Sequence, residues 1–313
     1  MGSISLLLQE LLMLYGIAIL GFIARRRGIL NENANNVLTQ LILYITLPAL
    51  ILFSLDVSFS FSLVKEFFWL VLMSIYVLVL SILLANWMRR NAKLSTKQAS
   101  VYEGMIIFGN QGFIGYAVIY ILFGDQGIIY LTIFNICYLL LIWSYGMYLF
   151  CKSNDAIKRK DLFLNPGIIS TIVGLVIFIL PPISWPNMIS DGLEMVGKMT
   201  VPLSMIIIGS LIANIKSVSL FSMLKNRALW KIAIAKLIMI PLLLIPFIVI
   251  SVPTPLLLIA VIVSGMPSAP TISLYAQKYG ADTSFASLAV LLTTLLCIVT
   301  IPFLYWVVEF LTH

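Results

Sequence analysis

Histidine is almost missing from this 313-residue sequence, and its single copy, His313, is the last residue. That removes most His-based acid–base catalysis, the Ser–His pairing of hydrolases and His-rich metal sites. Cysteine is scarce too. Cys137, Cys151 and Cys297 lie far apart with no CxxC spacing, so they read as buried thiols with neither a disulfide framework nor a metal cluster. There is no P-loop, which excludes pumping by ATP hydrolysis within this chain, and no Gly-x-Gly-Asp motif of a membrane aspartyl enzyme. Charged residues make up only 10% of the chain, against about 25% in a soluble domain. The sequence therefore leads us to expect no catalytic residues, no cofactor, no metal, no low-complexity segment and no soluble domain.

What is present is apolar. Hydrophobic residues account for 61% of the chain, and the mean hydropathy is +1.09. This is the composition of an integral membrane protein. The net charge of +7 follows the membrane and does not signal nucleic acid. A membrane helix needs about 20 mostly apolar residues. Ten such runs occur, at roughly 4–24, 34–54, 65–88, 98–122, 126–150, 165–182, 189–212, 228–250, 255–279 and 284–311. The first does not read as a cleaved signal, because Arg25, Arg26 and Arg27 follow it and no basic region precedes it. Sixteen of the 19 basic residues fall after odd-numbered runs, in loops such as Arg89–Lys97 and Lys152–Lys160. The positive-inside rule makes those loops cytoplasmic and puts both termini outside. Cysteines introduced at residues 3 and 156, in a background lacking the native ones, should label from opposite sides with an impermeant thiol reagent. Labelling from one side would overturn this topology.

Two of the runs are interrupted. The ninth contains Ser264 to Gly280, SGMPSAPTISLYAQKYG, where Gly265, Pro267 and Pro270 break a helix within six residues. Proline removes a backbone donor and clashes with the preceding turn, and irregular backbone at membrane depth is tolerated only inside protein or around a cavity. The fourth contains Gly109-Asn110-Gln111-Gly112-Phe113-Ile114-Gly115, 155 residues earlier. Other landmarks repeat at similar offsets: Thr46-Leu47-Pro48 with Thr200-Val201-Pro202, and Gly124-Asp125 with Gly280-Ala281-Asp282. We therefore expect two five-span repeats, 1–152 and 165–313, joined by a short cytoplasmic linker, 153–164. An odd span number inverts the second repeat, and inverted repeats with matched broken helices point to a secondary transporter.

Candidate site residues cluster at the breaks. Asn110, Gln111 and Gly112 bring amides and close backbone approach, and Pro267, Ser268, Pro270 and Thr271 open the second half of the ninth run. Half-helix N-termini facing mid-membrane suit an anion. Asn135 stands alone in the apolar fifth run, as a ligand contact or a helix tie, and Thr293 and Thr294 lie at the matching depth of the tenth. Intramembrane charges are costly and often functional. Lys198 and Glu194, four apart, read either as a boundary pair or as a counter-charge for an anionic substrate. Glu103 reads as a solvated group at the cavity mouth or as a carrier of a coupled proton. Lys236 reads as snorkelling to the cytoplasm.

GNQGFIG in the fourth run, SGMPSAPTISLYAQKYGAD in the ninth and LAVLLTTLLCIVTIPFLYW in the tenth resemble the auxin efflux carrier family of membrane transporters. The resemblance covers the whole chain. It implies an all-α integral membrane fold of ten spans in two inverted repeats, with helices 4 and 9 broken and crossed. It further implies a scaffold and a moving transport unit, each built from both halves. Asn110, Gly112, Pro267 and Pro270 would line the crossover. One departure is Ala117, where many relatives have a proline, so the first break rests on glycine alone. The expected function is secondary transport of a small organic anion, such as malate or a similar dicarboxylate, across the plasma or inner membrane by alternating access. The crossover contains no arginine, and a monocarboxylate of auxin-like type is the alternative. The expected partners are the anion, the bilayer, a coupled proton or sodium ion and a second copy in a homodimer. A channel or sensor and a polytopic membrane enzyme are the rival classes.

Overall fold

The computed structural model describes residues 2–56, 61–150, 166–179, 185–213, 223, 225–250 and 252–312. The expected linker, 153–164, lies outside them. The fold is all-α. Among the described residues, six helices are long and apolar enough to cross a membrane: Glu32–Ser54, Leu63–Arg90, Tyr116–Tyr148, Asn187–Ser210, Arg227–Ile248 and Thr283–Thr312. Ile169–Phe178 and Thr254–Ser264 are shorter apolar helices. Large apolar side chains such as Val79, Leu83 and Val299 stay exposed on these helices, as the outer face of a lipid-embedded protein requires.

Proline leaves its mark on the long helices. Glu32–Ser54 widens to a π-helical segment at Ile42–Thr46, just ahead of Pro48. Arg227–Ile248 does the same at Ala235–Met239, ahead of Pro241, and tightens to a 3-10 turn at Ile245–Ile248, around Pro246. A proline has no N–H for the carbonyl one turn back, and the wider π turn absorbs the mismatch. Two glycines with left-handed backbone start helices at matching places. Gly124 has φ 61° and Gly280 has φ 72°, and Asp282 caps the helix that follows, its Oδ1 accepting from the Phe285 N–H at 2.9 Å.

The chain divides into two compact units, each drawing on both halves of the sequence. The first comprises Met1–Phe68, Gly112–Ile136 and Phe163–Ile215. Within it the Gly2–Arg26 helix packs backbone to backbone on Thr200–Ala213. A Cβ at Gly209 would lie 1.7 Å from the Ala18 carbonyl oxygen, and one at Gly21 would lie 2.1 Å from that of Ile206. Small residues set such contacts in membranes, where apolar burial between helices is not a driving force. The repeated threonines also meet, Thr200 Oγ1 donating to Thr46 Oγ1 at 2.9 Å, and Ser210 donates to Asn35 Oδ1 at 2.9 Å. All four residues are buried, so these pairs satisfy polar groups that the bilayer would leave stranded.

The second unit comprises Trp69–Gln111, Cys137–Leu162 and Lys216–His313. It contains the break at 265–269 and the Phe108–Gln111 side of the other, whose Gly112–Gly115 side falls in the first unit.

Candidate functional site

The breaks are short. One helix runs Thr96–Ile107 and stops, Phe108 turning to extended backbone at φ −95°, ψ 124°. A π-helical segment, Gln111–Gly115, then resumes the helical path. The other helix runs Thr254–Ser264 and restarts at Pro270–Lys278. Ala269 is extended, at φ −71°, ψ 127°, as a residue before proline must be. Pro270 then fits the first helical position, where its missing N–H costs nothing.

The two extended pieces pair with each other. Gly109 and Ser268 form an antiparallel bridge, with the Asn110 N–H donating to the Pro267 carbonyl at 2.6 Å and the Ala269 N–H to the Phe108 carbonyl at 3.0 Å. Side chains secure the crossing. The Ser268 hydroxyl donates to the Met105 carbonyl at 2.8 Å, and its N–H donates to Thr293 Oγ1 at 3.0 Å. The Tyr138 hydroxyl donates to the Gly109 carbonyl at 2.5 Å. The sequence suggested that N–H groups at the restarts would be open to a ligand. The N–H groups just ahead of the restarts, those of Asn110, Ser268 and Ala269, are hydrogen-bonded within the crossing.

The expected site residues do not all fall in one unit. Asn110, Gln111, Pro267, Ser268, Pro270 and Thr271 belong to the second, and Gly112 and Asn135 to the first. Asn110 and Gln111 are buried, and Gln111 Oε1 has no hydrogen-bond partner among the described residues. Ser268 is fully buried and spends its hydroxyl on the crossing. Pro270 and Thr271 are partly exposed. Nothing lies within 4 Å of a Cβ built on Gly112. Asn135 sits beside the Tyr116 hydroxyl, which also bonds Thr132 Oγ1 at 3.0 Å, and Asn135 Oδ1 has no partner among the described residues.

The charged candidates divide as well. Lys198 and Glu194 belong to the first unit, are hydrogen-bonded to each other, and are partly exposed, at 42% and 36% of their side chains. Such an exposed pair contributes about 0–1 kcal/mol. Glu103 is not the solvated group that its place near a helix end suggested. It is 1% exposed, its Oε1 accepts from the Tyr145 hydroxyl at 2.7 Å, and Arg89 Nε lies 3.0 Å from its Oε2. Burial is tolerable because both partners come with it.

Lys236 departs most from expectation. It does not snorkel. It is 1% exposed and donates to the Ile107 carbonyl at 3.3 Å. A Cβ on Gly109 would lie 3.0 Å from its Cε and 3.1 Å from its Nζ, so any larger residue there would press on the lysine's end. The available signal was the lysine itself, deep in an apolar run with Pro241 one turn on. Among the described residues no cluster of His, Cys, Asp and Glu is suited to a metal ion.

Extended breaks that pair with each other beside the buried amides of Asn110 and Gln111 suit a protein that spans a membrane. The sequence profile of a family described as "Membrane transport protein" matches residues 6–305. The chain belongs to that family, the auxin efflux carriers. It is also similar to the uncharacterized transporter MJ1031 of Methanocaldococcus jannaschii, 26% identical over 202 residues. That match covers 62% of this chain and 65% of the relative's length.

Proposed function

We propose that this protein is a secondary transporter that moves a small organic anion, a carboxylate, across the cell membrane by alternating access. The observation that carries the reading is the antiparallel bridge between Gly109 and Ser268. It pairs the extended residues of the two breaks within the second unit, with Asn110, Gln111, Pro267 and Pro270 around it. Matched discontinuous helices are where secondary transporters hold substrate and coupling ion. Malate or a similar dicarboxylate is the first substrate suggested by the family, and a coupled proton or sodium ion is the expected driving species. The repeats 1–152 and 165–313 are taken as inverted, with both termini outside. A non-enzymatic role fits the family, and neither a channel nor a sensor requires paired breaks.

A thermal-shift screen of the purified full-length protein tests this. A ligand stabilises the state it binds by RT ln(1 + [L]/Kd). At least one member of a panel of acetate, lactate, phenylacetate, indole-3-acetate, malonate and malate should raise the midpoint, and the matching alcohols should not. A flat response to all six carboxylates would remove the organic-anion reading.

A further inference from the structure

Among residues whose burial is described, Lys236 is the only buried cation and Glu103 the only buried carboxylate. Glu103 already has Arg89 and Tyr145, and no described carboxylate forms an ion pair with Lys236. The ammonium has three donors, and the structure assigns one of them, to the Ile107 carbonyl. Ile107 ends the Thr96–Ile107 helix, whose last carbonyls carry partial negative charge. That holds the lysine in place without neutralising it. Its position is built in two further ways. It occupies the π-helical segment that Pro241 imposes on Ala235–Met239, and it rests on Gly109, which is one half of the bridge between the breaks.

We infer that Lys236 supplies the positive charge that receives the substrate's carboxylate at the crossover, and that the site is therefore matched to a monocarboxylate and not a dicarboxylate. This rests on the crossover being the substrate site. A buried charge is stable only when paired, and one ammonium offsets one carboxylate. The second carboxylate of a dianion would meet buried amides and apolar side chains with no cation to receive it. The N–H groups of Asn110, Ser268 and Ala269 are spent on the crossing, and backbone N–H groups at a helix start carry only partial charge, so a full positive charge has to come from a side chain.

The test uses the full-length protein in detergent and calorimetric titration with the six carboxylates of the panel and the carboxamide of each monocarboxylate. The tightest binder should be a monocarboxylate, held at least tenfold more tightly than its carboxamide. In Lys236→Gln that preference should fall to within about twofold, and Lys236→Arg should keep most of it. A lysine that merely caps the Ile107 helix end would change stability and leave the carboxylate-to-carboxamide ratio alone. If Lys236→Gln does not fold, Lys236→Met takes its place, since it keeps most of the apolar stem, removes the charge and should erase the same preference. The inference fails, with the crossover reading intact, if the tightest binder is malate or malonate. It fails likewise if the ratio survives in the variants while Asn110→Ala loses affinity. Binding of no carboxylate by the wild type would overturn both readings.

Discussion

Gly209→Ala should cost at least about 3 kcal/mol of stability, the upper end of what overpacking costs, and should sharply reduce the yield of monodisperse protein. The new methyl carbon would lie 1.7 Å from the Ala18 carbonyl oxygen, 2.7 Å from its carbon and 2.8 Å from the Phe22 nitrogen. All three are backbone atoms of the Gly2–Arg26 helix, so no side-chain rotation relieves the clash and the two helices must move apart. Separation would also open the reciprocal contact of Gly21 with Ile206. In a bilayer nothing compensates, because lipid is as apolar as the surfaces being parted and the close fit itself holds the helices. Gly16→Ala is the control. It lies in the same helix with nothing within 4 Å of its Cβ, and alanine favours helix by about 1 kcal/mol. Thermal unfolding in detergent checks both variants. Equal midpoints for Gly209→Ala and Gly16→Ala would mean that the helices do not touch as described.

Asn110→Ala and Pro270→Ala should each weaken carboxylate binding tenfold or more, for different reasons. Asn110 is buried at the crossing, and its side-chain amide is proposed to bond the substrate. Loss of a hydrogen bond to a charged group costs about 1.5–3 kcal/mol, roughly a ten- to hundredfold drop in affinity. Pro270 need touch nothing in the ligand. It holds Ala269 extended and starts the Pro270–Lys278 helix. Alanine there would let residues 265–269 wind toward helix, and the Ala269-to-Phe108 and Asn110-to-Pro267 hydrogen bonds would be lost with them. Asn135→Ala should do less, since Asn135 belongs to the other unit and shares its bonding with Tyr116. Calorimetry on variants that elute as single species measures all three. Unchanged affinity in both Asn110→Ala and Pro270→Ala would move the site away from the crossover, and the Glu194–Lys198 face would be the next place to look.

The sequence alone determined the class of protein and the positions of the two helix interruptions. Proline and glycine act on their own backbone and the turn before it, so Pro267 and Pro270 disfavour helix locally and Gly109 weakens it. Tertiary structure decided what the polar groups at those places do. Whether Lys236 snorkels or is enclosed depends on the elements that surround it, and here the end of the Thr96–Ile107 helix and Gly109 close over it. Glu103 is likewise buried because Tyr145, 42 residues along the chain, meets it. The hydroxyl and N–H of Ser268 go to Met105 and Thr293, 163 and 25 residues away. A long side chain or an open N–H takes the best partner within reach, and for these residues that partner is brought by folding rather than by sequence neighbourhood.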